Sequence, residues 1–376
     1  MDAHEHLLTV GLPLISNEPG EVREFLPDLA RSVAEAGARV VVEEGYGARM
    51  GYLAGDYQEA SRDLRVVDRD EAFGAGIVLM LRPSHDSLDR LRARTTFLSM
   101  LHFPTHKVRA KELKERGIQA IALDLIADDG GHRLVENMQA VAWNGLDVAF
   151  GVLQKTQPDF RDVRRPPTRV TILGAGLVGK HAVEAATKYG SLERAADLGC
   201  DCFPGVEVTV LGRNMTGDEA YLRRRFRNTD ILVDATSRSD PSIPLIRNEV
   251  LGELPGHAVI TDLAVDPYLL DDDPPVVRGI EGIPRGDLDD FVFAPDDAAW
   301  DRLPAAIPTD HRRWVVSCYS WPGIRAVECM QRYGEQLVPL MRALIRRGGA
   351  GFLRETGGYF ERALYRGSLD AWIDRL

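Results

Sequence analysis

Arg169 to Lys180 reads RVTILGAGLVGK. An apolar run, Val170 to Leu173, stops at Gly174-Ala175-Gly176-Leu177-Val178-Gly179, and a helical pattern follows from His181 to Tyr189. A strand, a glycine turn and a helix start form the setting a dinucleotide fingerprint needs. Gly174 permits the tight turn, and Gly176 lets the backbone approach a pyrophosphate. Gly179 lets the helix pack closely on the strand. The N–H groups of the opening helical turn, around Leu177 and Val178, meet the phosphates at the positive end of the helix dipole. A glycine triplet alone is also an ordinary tight turn; the strand before it and the helix after it favour binding.

The following strand, Val206 to Leu211 (VEVTVL), ends in Gly212-Arg213-Asn214. A site for NAD normally places a carboxylate there, on the adenosine ribose. Arg213 instead offers a guanidinium, which pairs bidentately with a 2′-phosphate that a carboxylate would repel. NADP(H) is therefore preferred. NAD(H) stays open, because Arg213 also reads as a solvated turn residue. The separation between Gly179 and Gly212 exceeds the usual ~20 residues. The surplus falls in Ser191 to Gly205, read as a loop or extra turn carrying Cys200 and Cys202.

Composition sets the outer bounds. A chain of 376 residues forms about two domains. Hydrophobic residues at 44% and charged residues at 27% are ordinary for a soluble globular protein. A net charge of -11 argues against nucleic acid or an anionic membrane as partner. The basic clusters Arg223-Arg224-Arg225 and Arg346-Arg347 fall in helical patterns and read as solvated faces. No apolar run approaches the ~18 residues that span a bilayer, and MDAHEHLLTVGLP does not read as a signal peptide. Four cysteines fit a reduced, cytoplasmic setting. Cys200 and Cys202 flank one Asp without a second ligand pair, so no metal site is expected.

Strands alternate with helices along the chain. Strands are expected at Leu7 to Leu12, Arg39 to Glu43, Gly76 to Leu81, Thr96 to Leu101 and Ile118 to Leu125, with helices at Pro27 to Glu35 and Val108 to Arg116. This alternation predicts an α/β protein with mostly parallel, doubly covered sheets. After a long helix, Asn137 to Leu153, the residues Pro158, Pro166 and Pro167 mark a domain boundary. Further strands follow at Ile231, Ala258 and Trp314, with a proline-rich acidic stretch from Asp271 to Asp310. That stretch reads either as a closing loop or as a plain solvated connection. The segment from Ala326 to Leu344 reads as a helix.

Several segments, taken in order, resemble the alanine dehydrogenase, saccharopine dehydrogenase and transhydrogenase domain-I superfamily. NEPGEVREFLPDLARSVAEAGARVVVEEGYG is similar to the family opening, and FLSMLHFPTH to the segment carrying the catalytic histidine. ILVDAT, DLAVD and SWPGIRAVECMQRYGEQLVP are similar to later coenzyme-domain strands and the linker helix. The tail RRGGAGFLRETGGYFERAL has no such counterpart. The resemblance implies two Rossmann-like doubly wound lobes with a cleft between them, the substrate lobe discontinuous. Residues 1–150 with 321–376 would form the substrate lobe, and 151–320 the NAD(P)-binding lobe. Ala235, Thr236 and Leu263 would join the glycine turn, Arg213 and Asn214 in binding coenzyme. The implied chemistry is hydride transfer between a nicotinamide and the α-carbon of an amino acid, or reduction of the imine formed from ammonia or an amine and a 2-oxo acid. The superfamily contains homo-oligomers as well as monomers.

Such chemistry needs a proton shuttle, a carboxylate near the reacting carbon and a cation for the substrate carboxylate. His102 matches the family histidine, and imidazole titrates near neutrality; a strand-end histidine making structural hydrogen bonds is the alternative. His106 is a weaker candidate. Asp266 of DLAVD matches the family carboxylate, though a strand-end Asp also caps helices. Arg23 follows from the family opening, one residue off the usual spacing. The family's catalytic lysine, in Lys-Glu-Pro, is missing: with VLMLRPS registered on Pro83, Leu81 falls on the lysine and Arg82 on the glutamate. Arg82 is no base at neutral pH but can polarise a carbonyl or bind a carboxylate. Two classes follow: an amino-acid dehydrogenase or a saccharopine- or opine-type reductase joining an amine to a 2-oxo acid, and a nucleotide-binding relative without hydride chemistry.

Overall fold

The computed structural model describes residues 8–15, 19–61, 64–83, 85–199, 203–238 and 240–375. It divides into two compact units, Met1–Asn137 with Arg325–Leu376, and Met138–Ile324. The chain passes between them at the start of the helix Met138–Thr156, not in the proline-bearing segment after it. The reason lies in packing: Ala142, Leu146, Ala149, Phe150 and Leu153 on that helix join Val170, Ile172, Ala182 and Val233 in the core of the second unit.

The first unit is built on six parallel strands, β1 (Thr9–Leu12), β2 (Arg39–Glu43), β3 (Arg65–Val67), β4 (Ile77–Leu79), β5 (Thr96–Ser99) and β6 (Gln119–Ala122). Their order is β3-β2-β1-β4-β5-β6, so the winding reverses between β1 and β4. Ligands of open α/β sheets sit beyond the carboxyl ends of the strands at that reversal. The apolar runs are short and buried on both faces, as a covered parallel sheet requires. The sequence pattern gives no sign of β3, because three residues (RVV) leave no periodicity to read.

The long helix Ala326–Arg347 returns to this unit and packs along Pro27–Glu35, burying Cys329, Met330, Leu337, Leu340 and Leu344. The tail that had no counterpart in the family pattern also has a place here. Ser368 forms an antiparallel bridge with Ile121 of β6, and the Ala350 and Gly351 N–H groups donate to the Thr96 hydroxyl and the Gln119 side chain. The tail thereby covers the β6 edge of the sheet, which would otherwise present unpaired backbone groups.

The second unit holds β7 (Thr168–Leu173), β8 (Val206–Leu211), β9 (Ile231–Asp234), β10 (Val259–Asp262), β11 (Val292–Phe293) and β12 (Trp314–Ser317), in the order β11-β12-β10-β9-β7-β8. All pairs are parallel except β11 with β12. The registers line up Leu211, Leu173, Asp234, Asp262 and Ser317 in one row at the carboxyl ends. The surplus after the helix Leu177–Thr187 includes a further short helix, Leu192–Leu198, capped by Ser191. Cys200 and Cys202 lie outside the described residues, as does Leu7. No helix among the described residues is long and apolar enough to cross a membrane.

Candidate active site

In the second unit the chain leaves β7 through Gly174, whose φ of 101° is open to glycine and strained for other residues. A Cβ there would lie 2.6 Å from the Ala235 carbonyl oxygen, and one at Gly179 would lie 2.2 Å from that of Gly174. Packing within the protein thus explains both glycines. Gly176 is different: a Cβ there would meet no atom within 4 Å. Nothing among the described residues demands glycine at that position, and its backbone conformation is ordinary. The helix it opens has no side-chain cap, and Leu177 is exposed. The missing side chain and uncapped N–H groups suit an external phosphate.

Beyond β8, Gly212 opens a short helix that begins with Arg213 and Asn214. Both are exposed, and Arg213 makes no ion pair among the described residues. Ala235 donates its N–H to the Leu173 carbonyl, beside the glycine turn. Thr236 turns inward, donating its N–H and hydroxyl to Asp234 Oδ1 at 3.0 and 2.6 Å. Leu263 is buried, its Cδ2 only 2.3 Å from where a Cβ on Gly145 would stand, so it packs in the core. Asp266 keeps an accessible carboxylate, paired with Arg238 at 2.7 Å.

In the first unit the strand ends on either side of the reversal carry the charged groups. β5 leads to His102, which adopts φ 48°, a left-handed conformation that costs energy in a residue other than glycine. Asp124, just past β6, holds it there. Its Oδ1 accepts the His102 N–H at 3.1 Å, and its Oδ2 lies 3.2 Å from Nδ1. Burial pushes the Asp124 carboxyl up, but the contacts with His102 outweigh it and hold the group below the usual aspartate range. Asp124 is then ionised and can only accept, so the shared proton sits on Nδ1 and leaves Nε2 as the ring's acceptor nitrogen. His106 has its ring 6.4 Å from that of His102. Burial, then Arg109, His102 and Arg82, push its pKa below the ordinary histidine value.

Leu81 is buried in the core, whereas the charge of Arg82 acts on Glu21, His106 and Tyr333. Arg82 is therefore the cation beyond β4. Arg23, expected to bind a substrate carboxylate, is only 2% exposed and gives its guanidinium to Glu21, with Nε–Oε1 at 2.9 Å and Nη2–Oε2 at 2.5 Å. Burial raises the Glu21 carboxyl, but Arg23 outweighs it and holds the group below its usual value. A buried, bidentate pair of this kind leaves Arg23 little capacity for a further carboxylate.

Asp124, Glu21, Asp234 and Asp262 match no motif in the sequence, although three of them carry a visible signal. Asp124, Asp234 and Asp262 each stand at or just beyond the end of an apolar strand, in IALDL, ILVD and VITD. Arg278 and Arg238, which pair with Asp262 and Asp266, lie in loops whose local sequence gives no such signal. No group of His, Cys, Asp and Glu among the described residues could hold a metal ion.

Two mostly parallel-sheet units, one with an open glycine turn and the other with a carboxylate-held histidine, carry the parts that an α/β oxidoreductase uses. Residues 18–142 match the alanine dehydrogenase/PNT N-terminal domain, and residues 159–267 the C-terminal domain of the same family. The alanine dehydrogenase of Halomonas elongata is 26% identical over 253 residues, 64% of this chain and 68% of that protein. The one from Bacillus subtilis is 23% identical over 273 residues, 69% and 71% of the two chains. Among solved structures, an L-alanine dehydrogenase superposes with a TM-score of 0.72 at 20% identity, covering 96% of this chain and 94% of that one. A transhydrogenase from Sinorhizobium meliloti gives 0.61 at 17% identity, covering 95% and 97%. The chain belongs to the alanine dehydrogenase/PNT family.

Proposed function

We propose that this protein is a nicotinamide-dependent amino-acid dehydrogenase, with NADP(H) the preferred coenzyme and NAD(H) the alternative. The observation that carries the reading is Gly176, a glycine that packing among the described residues does not require, at the open end of an uncapped helix. Backbone N–H groups of Leu177, Val178 and Gly179 would hold the diphosphate, the Ala235–Thr236 backbone would flank it, and Arg213 with Asn214 would take the 2′-phosphate. The nicotinamide supplies a hydride acceptor or donor when bound. In balance, an amino acid, oxidised coenzyme and water give a 2-oxo acid, ammonium, reduced coenzyme and a proton.

The chain's own residues handle charge and protons. His102 Nε2 takes or returns the proton of the water or amine, and Asp124 keeps its proton on Nδ1 and its ring in place. Arg82 binds the substrate carboxylate, the task Arg23 gives up by pairing with Glu21. Asp266 holds negative charge for the ammonium or iminium group. The small-molecule partners are an amino acid, or a 2-oxo acid with an amine. Localisation in the cytoplasm and homo-oligomer formation are part of the same reading.

One observation favours a saccharopine- or opine-type reductase as the second reading. The family's lysine is replaced by a buried leucine, so little help remains for building the imine. Such an enzyme would reduce an imine that a primary amine forms readily with a 2-oxo acid. The test for both is NADPH oxidation with ammonium and with primary amines across a panel of 2-oxo acids. Turnover that His102→Ala abolishes is expected, and the amine required separates the two readings. Tight coenzyme binding without turnover on any pair would refute both.

A further inference from the structure

The turn that presents Asp266 is strained, and its support comes from far along the chain. Val265, immediately before Asp266, has φ 52°, a left-handed conformation that a β-branched residue adopts only when something holds it. Asp262, at the end of β10, does the holding. Its Oδ1 accepts the N–H groups of Ala264 at 3.1 Å and Val265 at 2.8 Å. Its Oδ2 accepts the Ser317 hydroxyl at 3.0 Å and pairs with Arg278, whose Nη2 also donates to Ser317 Oγ at 2.8 Å. All three side chains are buried.

The neighbour of Arg278 grips the other end of the same residue. Val277 accepts a hydrogen bond from Arg238 Nη2, the nitrogen that pairs with the Asp266 carboxylate, and its N–H donates to the Pro241 carbonyl. Two consecutive residues of the segment after β10 thus fix the backbone and the side chain of Asp266 together. The arrangement is an energetically poor way to fill a core. Nε and Nη1 of Arg278 are buried with no hydrogen-bond partner among the described residues, and an apolar side chain would carry no such penalty.

We propose that Arg278 and Ser317 are positioning residues that act through Asp262 to hold the left-handed Val265 turn and so aim the Asp266 carboxylate. The role of Asp266 in turnover rests on the function proposed above; the geometry of the clamp does not. The segment expected as a closing loop or solvated connection is, at this point, a fixed part of the site.

The experiment compares Arg278→Met, Arg278→Lys and Ser317→Ala with the wild-type protein. Three things are read: kcat and KM for the 2-oxo acid, calorimetric coenzyme affinity, and amide hydrogen exchange at Ala264 and Val265. Arg278→Met should lower kcat by about 10–100-fold, the scale of a small misplacement of a reacting group. Arg278→Lys should recover part of that loss. Coenzyme affinity should change less than about twofold. The Ala264 and Val265 amides should exchange faster while Val259–Thr261 stay protected. Ser317→Ala removes one hydroxyl and should move kcat and exchange in the same direction, so it decides the matter if Arg278→Met fails to fold. Unchanged exchange at Val265 overturns the clamp, as does a joint loss of kcat, coenzyme affinity and β10 protection. If the wild-type protein turns over no amine and 2-oxo acid, the proposed function fails, and the exchange measurement still decides the clamp.

Discussion

Gly176 and Gly179 stand close together yet answer to different constraints. A Cβ at Gly179 collides with the Gly174 carbonyl, and one at Gly176 enters open space. Gly179→Ala should therefore cost thermal stability by itself. Gly176→Ala should leave the melting temperature within about a degree of wild type and weaken coenzyme binding at least about tenfold, because a methyl group then stands where the diphosphate approaches. Differential scanning calorimetry beside isothermal titration separates the two. Arg213→Ala should weaken NADP by about ten- to a hundredfold, the value of a charge-assisted contact of about 1.5–3 kcal/mol, and leave NAD nearly unchanged. Equal losses for both coenzymes would remove Arg213 from the site. Asp124→Asn tests the histidine. Its amide would donate to Nδ1 and drive the proton to Nε2, so kcat should fall by about 10²–10⁴-fold with little change in coenzyme affinity. The acid side follows from the same pair. The folded carboxyl titrates below its ordinary 3.8, so its stabilisation is complete above that pH and is lost as pH falls through the folded value. Acid titration of stability should be shallower in Asp124→Asn.

Strand ends carry most of the candidate site's charged groups, and there the sequence is legible in some places and silent in others. The glycine turn was legible because three constraints (apolar run, spaced glycines, helical pattern) coincide within a dozen or so residues. Pro27–Glu35 and Arg39–Glu43 match their expected limits because a proline and glycine punctuate the helix and a run of valines makes the strand. β3 and β11 were not legible; two or three residues hold no period. The pairing of Arg23 with Glu21 was hidden for another reason, since a guanidinium looks the same in a sequence whether it faces solvent or a buried carboxylate. The row at the carboxyl ends of β9 and β10 places Asp234 beside Asp262, both buried. Burial, aided by the charge of Asp266, lifts the Asp234 carboxyl above its ordinary 3.8 despite Thr236 and Arg238. The folded state then binds that proton more tightly than the unfolded chain, so stability falls as pH rises from 3.8 through the folded value and stays lowered above it. Asp234→Asn keeps an acceptor for Thr236 and should raise the melting temperature by a few degrees at pH 7, with a smaller gain at pH 4. A lower midpoint at pH 7 would show that the charge is needed for folding.

Taken whole, the chain is one α/β unit inserted into another. Met138–Ile324 brings all of its strands from one continuous stretch, whereas β1–β6 wait for Arg325–Leu376 to supply a packing helix and cover the β6 edge. On a ribosome those two requirements are met at different times. Nascent chains arrested shortly before Arg325 becomes available should already yield a protease-resistant fragment corresponding to 138–324, while 1–137 remains degradable until the C-terminal helices emerge. Equal resistance of both segments at that arrest point would show that the sheet of β1–β6 matures without its closing piece. The order matters for cells as well as for test tubes. A chain built this way exposes an unfinished strand edge throughout the later part of its translation, the interval in which a nascent-chain chaperone would find something to hold.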